Sequence, residues 1–465
     1  MDVKHKLKFT QIQTCKKFLF DEKTISLNVI LNSEKCQNII STCRDFRDRI
    51  YTPLQTLFIF IKQVLNPDKS CKNAIAQLAA EQLITKRKSI SINTSSYCEA
   101  RKRLPEQMIR GLVREVGKTS AEKARPTWKP FGRNLKGVDG STVIMSDTKE
   151  NQAIYPQQQG QKKGIGFPIA RLVVVMSLTV GTVLDYAIGA FKGKGTSELA
   201  LLRSILDCIE KDDILLGDRY YPGFFMVADI LEKRADGVFR GQPQRNYDFR
   251  KGKKLGKHDH IVEWSKPQRP NWMAREIYDT YPDQIKIREF KVKGLIYITT
   301  LLNHKKYHKK EIAKIYELRW QLEINLKSIK EIMSMEMLLC KTPEMVKKEI
   351  GIHLLAYNFI RIIIGESCEQ NNTIPYHISF KGTVQLLNNF MPYFINSNNM
   401  QNQILYAEML KNIAKNNIGN RPGRIEPRKV KRRPKPFDFL YKPRYVEKKV
   451  LERRYAKMLA QNAIA

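Results

Sequence analysis

The stretch KKEIAKIYELRWQLEINLKSIKEIM, Lys309–Met333, decides how this chain is read. Its spacing predicts one long helix. Ile315, Leu318, Leu322, Leu326, Ile329 and Met333 recur three or four residues apart and make an apolar stripe. Arg319, Glu323 and Lys330 stand three, seven and fourteen residues after Tyr316. At ~100° per residue these offsets fall at about −60°, −20° and −40°. Four polar side chains therefore share one narrow face, away from the stripe. Such a helix packs its apolar side on a sheet and shows a carboxylate and two cations to a cleft. Periodicity alone describes a solvated charged face with an i,i+4 Arg–Glu pair just as well.

Working outward from this helix, the residues before it alternate between strand and helix signals. Leu135–Asp139, Leu172–Thr182 turning at Gly181 into Leu184–Ile188, Ile214–Leu216, Gly237–Phe239 and Leu295–Leu302 read as strands. Thr196–Ile209 and Phe224–Leu231 read as helices. That alternation predicts an α/β layer with a mixed sheet. Two aspartates stand at strand ends: Asp139 before Gly140-Ser141-Thr142, and Asp218 after Leu215-Leu216-Gly217. Taken singly, each is an ordinary turn or cap residue. Ligand sites of α/β sheets nevertheless gather at strand ends. Asp139, Asp218 and Glu323 together supply hard oxygen donors that suit two Mg²⁺ or Mn²⁺ ions about 3.5–4 Å apart. The eight cysteines show no C-x2-C or C-x4-C spacing, which argues against zinc and for free thiols in a reducing compartment. His258 and His260 read as a solvated loop pair.

Composition narrows the partner. The 465 residues carry 82 Lys and Arg against 46 Asp and Glu, a formal net charge of +36 with pI ≈ 9.8. Such an imbalance calls for nucleic acid or anionic lipid. Lipid is the poorer choice. The uncharged run Leu172–Leu184 is too short to span a bilayer, and Gly351–Gly365, interrupted by His353, Asn358 and Arg361, reads as a buried helix. No apolar stretch of signal length follows the N-terminal lysines. The expectation is a cytoplasmic, polyanion-binding protein with no membrane partner.

The spacing Tyr316-x2-Arg319-x3-Glu323-x6-Lys330 matches in full the Y-x2-R-x3-E-x6-K signature of the transposases of insertion-sequence family four. Val138-Asp139-Gly140-Ser141 resembles that family's first acidic motif, and Leu216-Gly217-Asp218-Arg219-Tyr220-Tyr221 its second. Thr52-Pro53-Leu54, Tyr97–Pro105 and Asn420–Arg424 are also similar to it, so the resemblance runs from about residue 40 to 445. It implies a ribonuclease-H-like catalytic core with a β-rich insertion, and DDE chemistry in which Asp139, Asp218 and Glu323 hold two divalent metals. It implies DNA contacts from Tyr316 through its hydroxyl, from Arg319 and Lys330, and from Arg219 beside the second motif. It also implies two DNA ends held by a homodimer and cleavage that can pass through a hairpin, with a flipped base stacked on an aromatic ring. Trp264, Trp272 and Trp320 are all candidates for that ring, and Trp320 serves equally well as a packing residue.

The expected organisation follows. Residues 1–130 form a helical DNA-binding region with an edge at Arg101, Lys102 and Arg103. Residues 131–241 and 295–345 make the catalytic core, and 242–294 the insertion. Residues 346–415 form a helical C-terminal region, and 416–465 a basic tail. Within that tail Arg421–Arg454 holds 14 Lys and Arg against 4 Asp and Glu, and its prolines predict an extended chain. The function expected is a nucleoid-associated bacterial transposase that cuts and joins double-stranded DNA at transposon ends and target. The alternatives are a metal-dependent nuclease or resolvase, and a domesticated DNA-binding protein.

Overall fold

A computed structural model describes residues 31–462, apart from residues 32, 44–45, 47–49, 67, 85–89, 395–398 and 419–439. The first thirty residues, and residues 419–439 and 463–465 of the expected tail, therefore lie outside the described residues.

The described chain opens with helices α1 (Glu34–Ile40), α2 (Pro53–Val64), α3 (Cys71–Ile84), α4 (Ser95–Arg103) and α5 (Glu106–Glu122). Helix α2 starts as its sequence dictates. The Thr52 hydroxyl accepts from Gln55 N–H at 3.3 Å and Pro53 fills the first turn, where no N–H is needed. Arg101 is not a solvated edge residue. It donates to Gln63 Oε1 at 2.9 Å and lies over the rings of Phe60 and Tyr97.

A central sheet follows. β1 (Leu135–Met145), β2 (Ile169–Ser177) and β3 (Val183–Ala190) form an antiparallel meander, with α6 (Lys149–Ile154) between the first two. Helix α7 (Glu198–Arg203) crosses to β4 (Ile214–Gly217), which pairs parallel with β1. Helix α8 (Phe224–Glu232) then leads to β5 (Asp236–Arg240), parallel with β4. The order β3-β2-β1-β4-β5, with two parallel strands added beside an antiparallel meander, is the ribonuclease-H-like arrangement. Both faces are covered, which is why β2 reads as a nearly continuous Val-rich run. Leu172, Val174 and Met176 enter one core with α2, α5 and the later helices. Val173 and Val175 enter the other with α7 and α8.

The strands of residues 242–294 extend this same sheet. β6 (Lys253–Gly256), β7 (Asp259–Ser265) and β8 (Gln284–Val292), with α9 (Arg275–Thr280) before β8, continue it through β9 (Leu295–Thr299), which pairs antiparallel with β5. His260 is not in a solvated loop. It is buried on β7, with Nε2 3.1 Å from Glu289 and Nδ1 2.7 Å from the Lys251 carbonyl.

The long helix expected over Lys309–Met333 is broken. It forms α10 (Lys309–Glu317), a turn at Leu318-Arg319, α11 (Trp320–Lys327) and a π-helical turn over Ser328–Ile332. A short strand, β10 (Met337–Leu338), returns to β1. Helix α12 (Pro343–Gln370) is long and apolar enough to cross a membrane, but it is a core helix, 83% buried over its most apolar window. Its Asn358 accepts from Val183 N–H at 2.7 Å and donates to the Val183 and Val113 carbonyls, tying the helix to β3 and α5. Helices α13 (Phe380–Phe394) and α14 (Asn399–Lys415) pack beside it. Arg444–Asn462 is helical (α15), so residues 444–454 of the Arg421–Arg454 segment are not extended as expected, and its residues 421–439 lie outside the described ones. The cysteines described are free, but only Cys36 and Cys368 are fully buried.

Candidate active site

Sheet register builds the site. Leu135, Lys136 and Gly137 pair with Ile214, Leu215 and Leu216. Continuing that register two residues carries Asp139 alongside Asp218, just past the end of β4. Two aspartates far apart in sequence thus become neighbours on adjacent parallel strands: Asp218 just past the C-terminal end of β4, and Asp139 partway along β1, which runs on to Met145 instead of ending at Asp139 as expected.

The broken helix brings the glutamate over them by two fixed contacts. Tyr316, at the end of α10, is 7% exposed and donates its hydroxyl to the Gly217 carbonyl at 3.1 Å, one residue before Asp218. Leu322, on α11, is fully buried against Gly137, two residues before Asp139. A Cβ at position 137 would lie 2.7 Å from its Cδ1. Glu323 follows Leu322 and hangs over the strand ends. Tyr316→Phe is expected to cost about 1 kcal/mol, the scale of one hydrogen bond. It should also lower the cleavage rate without changing DNA affinity, because it loosens the helix rather than a phosphate contact. Urea midpoints and a binding titration check both halves.

The electrostatics agree with the register. Burial pushes the Asp139 carboxyl up to about 6. The Gly140 N–H at 2.9 Å and the nearby Arg319 guanidinium pull the other way, and the negative charges of Asp218 and Glu323 add to the rise. Burial also holds the Tyr221 hydroxyl far above its usual range, helped by Glu198, Asp139 and Asp218. Arg319 donates to Glu323 at 2.6 Å. Among the described residues, no three His, Cys, Asp or Glu side chains are gathered closely enough to cage a metal. The donor chemistry still fits a divalent cation. All the oxygens are hard carboxylates, and Asp139 is an acid whose charge is disfavoured by burial and by two like charges.

The other expected residues fall as follows. Arg219 and Trp320 are exposed, Trp320 at 53%, so Trp320 does not pack. Lys330 is half-buried within the π turn. Tyr316 is buried close to Arg319 and Asp218, and without DNA its hydroxyl donates to the Gly217 carbonyl. Trp264 is buried, donates Nε1 to Glu289 at 3.0 Å and carries Arg245 over its ring, so it offers no face to a base. Trp272 is 61% exposed, with Arg203 over its ring at 4.6 Å. Sequence reasoning missed Tyr221 and Glu198. Tyr221 stood inside the quoted second motif, but nothing in sequence links Glu198 to it.

The transposase DDE domain family matches residues 132–359, a span that begins just before β1 and closes inside α12. Residues 132–359 belong to that domain family, and the chain is similar to transposases of the IS4 type. The chain is 26% identical over 278 residues to transposase InsG for insertion sequence element IS4 of Escherichia coli strain K12, across 57% of this chain and 60% of InsG. It is also 34% identical over 76 residues to putative transposase InsL for insertion sequence element IS186A of the same strain, 16% of this chain and 20% of InsL. It thus spans less than two thirds of either relative. Among solved structures, the piggyBac transposase synaptic complex with hairpin DNA aligns with 89% of this chain and 87% of its own, at TM-score 0.40 and 9% identity.

Proposed function

We propose that the protein binds the terminal inverted repeats of an insertion sequence, cuts the DNA there and joins the freed 3′ ends to target DNA. The observation that supports this reading is the register that sets Asp139 beside Asp218 beneath Glu323, in a chain of net charge +36. Asp139, Asp218 and Glu323 would hold two divalent ions, Mg²⁺ or Mn²⁺. When bound, these activate the attacking oxygen and stabilise the leaving one in an in-line phosphoryl transfer.

The protein's own part is positioning and charge. Tyr316 and Leu322 fix the glutamate helix on the strand ends. Arg319, now paired with Glu323, is placed to exchange that carboxylate for a DNA phosphate, which frees Glu323 for the cation. Lys330 and Arg219 extend the cationic rim, and phosphate contacts of this kind set register on DNA without reading sequence. Trp320 and Trp272 are the exposed rings available to a displaced base. Two protomers would hold the two ends together, and the reaction belongs to the bacterial cytoplasm, at the nucleoid. Residues 1–130 and 416–465 would grip DNA outside the core of 131–241 and 295–345, with 242–294 as the insertion and 346–415 as a helical brace.

The test incubates the purified protein with Mg²⁺ and a DNA carrying both element ends plus a target plasmid. Joined products carrying element 3′ ends support the proposal. Cutting with no joining assigns a nuclease or resolvase, and binding alone a domesticated DNA-binding protein. End affinity should fall linearly as log salt rises, with a slope of about −0.9 per phosphate contacted.

A further inference from the structure

Glu198 has no role in the proposal above. It stands at the first position of α7, behind its N-cap Ser197, where a helix dipole welcomes an acid. Dipole stabilisation alone leaves such a side chain free to point into water. This one is turned back across the sheet. Its carboxyl group lies against Gly140, the residue after Asp139, so closely that a Cβ there would sit 2.4 Å from Cδ, 2.6 Å from Oε2 and 2.7 Å from Oε1. Tyr221, three residues after Asp218, donates its hydroxyl to Oε2 at 3.2 Å.

The nearest cation is Arg171, whose Nε is 4.0 Å from Oε1 and whose Nη1 is engaged by the Thr196 carbonyl at 2.7 Å. Glu198 is therefore held by a donor from the second acidic motif against the backbone that follows Asp139, in a space left open because position 140 lacks a side chain. Its charge is only weakly matched there. A carboxylate in that position adds to the repulsion among Asp139, Asp218 and Glu323 unless a cation shares the space.

We propose that Glu198 is a fourth carboxylate of the divalent-cation centre, oriented by Tyr221 and admitted by Gly140. The inference rests on the reading of Asp139, Asp218 and Glu323 given under Proposed function. Both are tested without DNA or turnover by titrating the full-length protein with Mn²⁺ and following free Mn²⁺ by electron paramagnetic resonance.

Glu198→Gln should weaken Mn²⁺ binding on the order of 10–100-fold, the usual loss for a group that supports a metal. Gly140→Ala should do the same, because the new methyl displaces the carboxylate. The double variant should be no weaker than either single one. Tyr221→Phe keeps the acid but loses its orienting donor, so a smaller loss is expected. It serves as the second variant if circular dichroism shows that Glu198→Gln has not folded. Asp139→Asn is the control. If Asp139→Asn loses Mn²⁺ while a folded Glu198→Gln and Gly140→Ala bind like the parent, the fourth carboxylate is overturned and the three-carboxylate centre stands. If Asp139→Asn also binds like the parent, the centre itself is overturned, and Glu198 with it.

Discussion

An Asp139→Asn protein is expected to lose cleavage and joining by on the order of 10²–10³-fold or more, and yet to be more stable than the parent in metal-free buffer at pH 7.5. The first half follows from the position of Asp139, whose partly buried carboxylate lies alongside Asp218 on the neighbouring parallel strand and is acted on by the charges of Asp218 and Glu323. Removing one preorganised charge from a transition state typically costs that much. End binding should be unchanged, because phosphates are gripped by cations elsewhere.

The second half follows from the sign of the pKa shift. The folded carboxyl titrates at about 6, against a usual value of 3.8, chiefly because it is buried. Between these values the folded chain binds more protons than the unfolded one, so stability falls as pH rises from about 4 to 6 and is flat above that. The cost at pH 7.5 is about 1–3 kcal/mol, discounted toward the lower end because the group keeps some solvent contact. Asparagine carries no charge and escapes the cost. Urea midpoints in EDTA should favour the variant at pH 7.5 and converge near pH 4. Added Mn²⁺ should raise the midpoint of the parent alone. A variant less stable than the parent at pH 7.5 would sink the account.

Much of this was legible before any coordinates. Asp139 and Asp218 announce themselves because apolar runs precede them, and in Thr52-Pro53 and Thr342-Pro343 a capping hydroxyl and a first-turn proline are local signals for the helix starts of α2 and α12. These signals are local. The failures are of two physical kinds. The break at Leu318-Arg319 carries no Pro or Gly, and both halves keep helical spacing, so periodicity runs through it undisturbed. The apolar stripe Ile315, Leu322, Leu326, Ile329 and Met333 is buried on both sides of that turn, so the break costs the stripe nothing. Other failures are non-local. Nothing in the polar run around Lys253–Gly256 says that it pairs with Asp259–Ser265, nor that the ladder rejoins β5 through β9. Glu198 reaches Gly140 only because α7 bridges β3 to β4. The family resemblance supplied the acidic triad, but it said nothing of a fourth acid.

Arg288→Met is expected to be the most damaging change outside the site, with a loss of about 3–5 kcal/mol, because it strands a buried charge. Arg288 stands on β8 with its side chain 1% exposed, and it grips Asp259 of β7 through two bonds of 2.8 and 2.7 Å. Its remaining N–H groups donate to the Tyr307 carbonyl at 2.7 Å and the Leu301 carbonyl at 3.4 Å. Those carbonyls belong to the segment that leads from β9 into α10. One guanidinium thus fastens the added strands to the start of the helix pair that carries Glu323. Methionine replaces the volume but leaves Asp259 charged, buried and without its fork of donors, and two carbonyls lose their partner. The urea midpoint should fall steeply, and surviving protein should lose cleavage more than end binding, since α10 is no longer tethered. Arg288→Met combined with Asp259→Leu removes the stranded charge and should recover a large part of the stability. It should recover little activity, because the carbonyls of Leu301 and Tyr307 stay unanchored. A double variant as unstable as the single one would place the loss in packing rather than charge. One that regained full cleavage would show that the fastening plays no part in setting Glu323.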